Sequence, residues 1–174
     1  MPRSNQPATA RFKSLLPALT ALTLAIAAPV AHAGGYTMQG GSVSGISRLS
    51  IGYTGDAFYT NGNLQIVPVY EFARFHKSAD ENDTLYQVSA VPMFRYFLND
   101  LFFEAGIGVS LFNHTKIAEK NISTAFQFSD HIGVGYRFTP NVTVGYRFSH
   151  FSNGAIKHPN PGINSQALVL TLSY

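Results

Sequence analysis

His150 and Ser152 stand two residues apart at the end of an alternating run, Val142 to Ser152, and Asn164 opens the next one. A serine hydroxyl is a weak nucleophile until a base takes its proton. An imidazole can do this near neutral pH, and a third polar group must then fix its tautomer and orientation. An amide can fill that third place. The tetrahedral oxyanion formed in such a reaction needs hydrogen-bond donors, and Asn153 and the backbone of Asn153-Gly154 follow Ser152 directly. The chemistry these residue types support is acyl transfer. A bare H-x-S is short, however, and is also ordinary polarity at a strand end. The case therefore depends on what positions it.

Positioning follows from parity, because strand side chains repeat every second residue. Val142, Val144, Tyr146 and Phe148 share a face that His150 and Ser152 continue; Leu168, Leu170, Leu172 and Tyr174 share one with Asn164 and Gln166. Polar groups that continue a greasy face are costly unless they have a task. Apolar parity is even on these two runs and on the one before them, Phe126 to Phe138, so cross-strand partners must have even residue sums. A short Thr139-Pro140-Asn141 turn gives a sum of about 280 and sets Asp130 opposite His150. A loop centred near Lys157 gives a sum of about 314 and sets Asn164 opposite His150. Directly opposed residues have Cβ atoms about 5 Å apart. His150 is thus expected between Asp130 and Asn164, with Asn164 as its orienter and Asp130 as the alternative.

The chain has 174 residues and no cysteine. Residues 1–33 read as a cleaved signal peptide: Arg3, Arg11 and Lys13 are basic, Leu15 to Ala28 is apolar, and Ala31-His32-Ala33 is an A-x-A cleavage site. That leaves one domain, residues 34–174. Three of the twelve basic residues fall in the leader, so nine remain against nine acidic ones. The domain is near neutral, and no nucleic-acid partner is implied. An exported chain without cysteine has no disulfide framework. His76, His114 and His158 read as loop histidines without ligand spacing, so neither a metal nor another cofactor is expected.

Alternation recurs along the whole domain. It is weak in Tyr36 to Gly40 and clear in Leu49 to Tyr53, Leu64 to Phe72, Tyr86 to Tyr96, Phe103 to Leu111, Phe126 to Phe138 and the two runs above. Each segment is about 10 residues, the length of a tilted strand crossing a bilayer. Turn signals lie at Gly40-Gly41, Asn61-Gly62, Asn99-Asp100 and Pro140-Asn141, with longer polar loops at Thr54 to Gly62, Lys77 to Asp83, Asn113 to Asn121 and Asn153 to Pro161. A soluble sandwich or lipocalin-like barrel has the same parity with its apolar face turned inward. A polar face crowded with Gly and Ser, aromatics flanking the apolar stripes and a final strand closing on Tyr174 favour an all-β, eight-stranded antiparallel transmembrane β-barrel. Such a barrel is too narrow for a channel. By parity Arg48, Glu71, Arg95, Glu104, Arg137 and Arg147 point inward as an ion-pair network, and function is left to the loops or the outer wall. With both termini periplasmic, His150 and Ser152 approach the outer leaflet of the outer membrane, which is built of lipopolysaccharide.

The stretch Phe128-Ser129-Asp130-His131-Ile132-Gly133-Val134-Gly135, then His150-Phe151-Ser152-Asn153-Gly154-Ala155-Ile156-Lys157, then Pro159-Asn160 and Gly162-Ile163, resembles the lipid A 3-O-deacylase (PagL-type) family of outer-membrane proteins. Phe103-Glu104-Ala105-Gly106-Ile107-Gly108-Val109 resembles one of that family's strands. The resemblance implies that Ser152 and His150 are catalytic on the outer wall, that Asn153 serves the oxyanion, and that lipid A within lipopolysaccharide is the substrate. It implies no cofactor. One position departs: the family's third member is a glutamate, and Asn164 stands there. An amide can hold a tautomer but stabilises an imidazolium less than a carboxylate does. Two rival readings share the fold: a non-enzymatic small barrel for adhesion or resistance, and a phospholipid acyl hydrolase using the same residues. Outer-membrane lipid surrounds the barrel in every case, and a homodimer is left open.

Overall fold

The computed structural model describes residues 34–43, 45–77, 84–117 and 119–174. The signal-peptide reading of residues 1–33 lies outside the described residues, as does most of the Lys77 to Asp83 loop.

The strands are β1 (Gly35–Val43), β2 (Ile46–Thr54), β3 (Tyr59–Asn61), β4 (Leu64–Lys77), β5 (Thr84–Leu98), β6 (Leu101–Phe112), β7 (Lys116–Ile117), β8 (Lys120–Asn121), β9 (Phe126–Thr139), β10 (Val142–Ser152) and β11 (Ile163–Ser173). Eight of them, β1, β2, β4, β5, β6, β9, β10 and β11, form a closed antiparallel ring in which β2 also pairs with β4 and β1 pairs with β11. Closure leaves no row of unpaired backbone groups, the condition for strands to cross hydrocarbon. The architecture is the expected eight-stranded antiparallel barrel.

Burial decides which way the parity faces. Leu49, Ile51, Ile107 and Leu168 are 59–68% exposed, while Gln127 and Arg147 are at most 1% exposed. The apolar face is the outer wall and the polar face is the lumen, the inverse of a soluble barrel. Aromatics gather at the end that holds both termini, where Tyr36 packs on Tyr53 and Tyr174, and Tyr136 packs on Phe138.

The lumen is filled. Glu71 accepts from Arg48 Nη2 at 2.7 Å and from Arg147 Nη1 at 2.8 Å; Glu104 accepts from Arg147 Nε at 2.7 Å and from Arg95 Nε at 3.0 Å. Gln39 also donates to Glu71. Arg137 departs from the expectation: among the described residues it joins no ion pair, and its guanidinium lies 4.5 Å from the centre of the Phe97 ring. Further along the lumen the filling turns apolar, with Phe75, Phe112 and Phe151 in mutual ring contact and the Arg48 guanidinium over two of them.

Two sequence expectations about connections are corrected. Gly40-Gly41 is not a turn; both residues lie in β1, which runs on to Val43 before β2 begins at Ile46. Gly41 serves the barrel seam instead, since a Cβ there would sit 1.6 Å from the Gln166 carbonyl oxygen of β11. A second expectation, drawn from the turn and loop positions, is that short and long connections alternate between the two barrel ends; the long Thr54 to Gly62 connection instead lies at the same end as the short Asn99-Asp100 and Pro140-Asn141 turns. Part of it is ordered as β3, which pairs with the start of β4. His76, read as a loop residue, lies in β4 and contacts Thr84 across the hairpin.

Candidate active site

The site stands where β9, β10 and β11 reach the loop end of the barrel. On β10 the odd residues Arg147, Ser149 and Phe151 are buried in the lumen, which turns Phe148, His150 and Ser152 outward. The register is the one parity predicts: His150 pairs with Asp130 on one side and Asn164 on the other. Ser152 lies beside Phe128.

Of the two neighbours, Asn164 makes the contact. Its Oδ1 lies 2.6 Å from His150 Nδ1. A carbonyl oxygen only accepts, so the Nδ1 proton is held there and the Nε2 lone pair is left for another partner. Among the described residues Asp130 has no hydrogen bond to His150. The Ser152 hydroxyl has no hydrogen-bond partner among them either. Ser152 and His150 are two positions apart on one face, with Cα atoms roughly 7 Å apart from the strand rise. Contacts of this kind tighten when substrate is bound.

The polypeptide after Ser152 folds into a compact loop. Asn153 to Ile156 is a turn closed by the Ile156 N–H on the Asn153 carbonyl at 3.1 Å, with φ of 61° at Gly154 and 65° at Ala155. Both central residues are left-handed, the signature of a type I′ turn. Asn153 itself is fully buried. Its Nδ2 donates to the Lys157 carbonyl at 2.8 Å and to the Ile122 carbonyl at 3.2 Å, and its backbone N–H donates to Asn160 Oδ1 at 3.1 Å. The Asn153 donors expected to face an oxyanion are therefore engaged by the loop itself and by the segment between β8 and β9. The reason is parity: Asn153 falls on the lumen side of the strand end, opposite to Ser152. Gly154 is exposed at the turn, and a Cβ there would lie 2.9 Å from Phe128, the residue paired with Ser152.

Asn160 belongs to the motif quoted above, but the sequence alone assigns it no role. With its Oδ1 accepting from the N–H of Asn153, its two amide N–H donors stay uncommitted among the described residues. The signal was available as the Pro-Asn-Pro-Gly stretch, but nothing in the spacing ties it to Ser152. Gly162 is the other such residue. Its φ is 63°, and a Cβ there would lie 2.6 Å from His150 Cε1. Gly162→Ala is thus expected to push the imbedded ring aside and strain the backbone. A displacement of about 1 Å can lower turnover about 100-fold. Ester turnover measured beside a melting curve checks this, with the barrel still folded.

The surrounding outer wall is apolar. Phe128, Ile132 and Phe148 lie next to the polar group, and Ile107 lies beyond Asp130 on β6. Among the described residues no cluster of three or more potential metal ligands occurs.

The family described as Lipid A 3-O-deacylase (PagL) matches residues 34–173. Lipid A deacylase PagL of Bordetella bronchiseptica is 36% identical over 177 residues, covering 94% of this chain and 98% of that protein. Its counterpart from Pseudomonas aeruginosa is 33% identical over 98 residues, covering 54% of this chain and 57% of that protein. The crystal structure of the outer membrane enzyme PagL superposes with a TM-score of 0.69 at 27% identity, over 79% of this chain and 98% of that one. The Yersinia pestis outer membrane protein Ail superposes with a TM-score of 0.50 at 10% identity, over 81% of this chain and 99% of that one, and so shares the barrel architecture alone. On the family match and the near full-length likeness to the Bordetella protein, this chain belongs to the lipid A 3-O-deacylase (PagL) family.

Proposed function

We propose that Ser152 is the nucleophile, His150 the general base and Asn164 the orienter of a serine esterase acting from the outer wall of the barrel. The protein is an outer-membrane lipid A 3-O-deacylase; what is proposed is how these residues perform the reaction. The observation that carries the proposal is the 2.6 Å contact between His150 Nδ1 and Asn164 Oδ1, on the face that also bears Ser152.

The acyl chain lies against Phe148, Ile132 and Phe128, so it never leaves an apolar surrounding. Its ester carbonyl meets Ser152 Oγ. The Oγ–C bond forms as His150 Nε2 takes the hydroxyl proton, and the resulting imidazolium gives that proton to the sugar 3-oxygen as the ester bond breaks. Water then attacks the acyl-serine, with the same imidazole as base, and releases the 3-hydroxy fatty acid. Asn164 holds the proton on Nδ1 throughout. The oxyanion donors we assign are the backbone N–H of Gly154 and the side-chain amide of Asn160, both on the loop that follows Ser152. In the membrane this end of the barrel faces the outer leaflet, where lipid A resides.

The orienter is the part most open to test. Asn164→Ala is expected to lower turnover of lipid A about 10- to 100-fold, Asn164→Glu to retain or raise it, and Asp130→Ala to leave it unchanged. Mass spectrometry of lipid A incubated with each purified variant reads the loss of one 3-hydroxyacyl group. If Asp130→Ala is the more damaging change, Asn164 is not the orienter.

A further inference from the structure

The short β7–β8 hairpin stands over the catalytic loop and brings one cation to it. Lys120 donates from Nζ to the Gly162 carbonyl oxygen at 3.3 Å. Gly162 is the residue packed on the His150 imidazole. By ordinary bond lengths these two contacts hold the ammonium within about 10 Å of His150 Cε1. The hairpin is not free to swing. Ser123 Oγ donates to the Pro159 carbonyl at 2.6 Å, Asn153 Nδ2 donates to the Ile122 carbonyl, and Ile117 and Ile122 are buried in the barrel mouth with Phe151 and Ile163. Lys120 is only half-exposed, and among the described residues no carboxylate is paired with it. An ammonium carries three N–H donors, and the Gly162 carbonyl uses one. Two donors on a fixed, partly desolvated positive charge remain beside the site.

We propose that Lys120 binds a phosphate of the lipid A headgroup and so selects phosphorylated glycolipid over other esters. The proposal rests on the Ser152/His150 reading above and adds the group that is recognised. A glucosamine bearing an ester at its 3-oxygen and a phosphate at its anomeric oxygen separates the two by several ångströms. That spacing fits a charge held at this distance from the imidazole, with the sugar lying across the loop and the acyl chain running down the wall. A phosphate oxygen can accept both remaining N–H donors.

The test compares three substrates with the full barrel in detergent micelles: lipid A carrying its anomeric phosphate, the same lipid A with that phosphate removed, and an uncharged p-nitrophenyl acyl ester. Lys120→Ala is expected to lower kcat/KM on the phosphorylated lipid about tenfold or more, chiefly through KM. It leaves the other two substrates unaffected, so the preference for phosphate disappears, and Lys120→Arg keeps that preference. Equal losses on all three substrates would make Lys120 a positioning residue of the loop and overturn the phosphate role. No loss on any substrate would overturn it as well. Ser152→Ala measured alongside separates the two failures, because activity surviving in that variant sinks the serine reading whatever Lys120 does.

Discussion

Ser152→Ala and His150→Ala are each expected to reduce release of the 3-hydroxyacyl group about 10⁴-fold or more, with the double variant no worse than either single one. The size follows from how the two groups depend on each other. Without the base the hydroxyl keeps its proton and is a poor nucleophile; without the hydroxyl the base has nothing to activate. Groups that act as a unit lose the same free energy whichever is removed, so their effects do not add. The barrel should tolerate both changes, since His150 and Ser152 face outward from the lumen packing. Lipid A recovered from cells expressing each variant should therefore be fully acylated, with the protein present at ordinary levels in the membrane. Additive losses, or a serine variant that still deacylates, would mean that the two residues do not share one step.

The second large effect is on stability. Glu71→Ala is expected to cost about 3–5 kcal/mol. Glu71 lies between Arg48 and Arg147, and both guanidinium groups are at most 2% exposed. Removing the carboxylate leaves Arg48 a buried charge with no ion-pair partner among the described residues, while Arg147 keeps Glu104. Glu71→Gln retains the shape and part of the hydrogen bonding and should fall between the alanine variant and the native protein. Arg95→Ala should cost less, because that side chain is 13% exposed. Circular-dichroism melting and the heat-dependent gel mobility of the barrel read the order; an unchanged midpoint in Glu71→Ala would show that the network is not what holds the lumen.

Much of this arrangement is legible in the residues. Period-two alternation and even residue sums are enough to put His150 between Asp130 and Asn164, because one slip of register would turn Phe148 and Tyr146 into the lumen and Arg147 out into lipid. The inward charges follow from the same parity. What parity cannot carry is anything beyond the strand ends. Asn153 looks like a donor beside Ser152, but at the first loop residue its side chain turns under the loop. Which carbonyl each amide reaches depends on the path of ten residues without a period. Gly40-Gly41 resembles a turn because glycine marks both turns and close strand approaches; only the seam with β11 tells them apart. The β7–β8 hairpin is two residues on each side, too short for any periodic signal, and it is the element that delivers Lys120. Asn164 rather than Asp130 takes the imidazole although both sit opposite it, a difference of side-chain direction that register alone does not contain.

Among the described residues, ion pairs below and three phenyl rings above fill the bore of this cylinder. A cell can therefore make the enzyme in quantity without making its envelope leaky. Dyes, bile salts and antibiotics that are kept out by the lipid will stay out, and planar bilayers containing the purified protein should carry no more current than lipid alone. Catalysis at the proposed Ser152/His150 site, outside a plugged cylinder, would thus change the chemistry of the barrier while leaving its electrical and solute resistance intact.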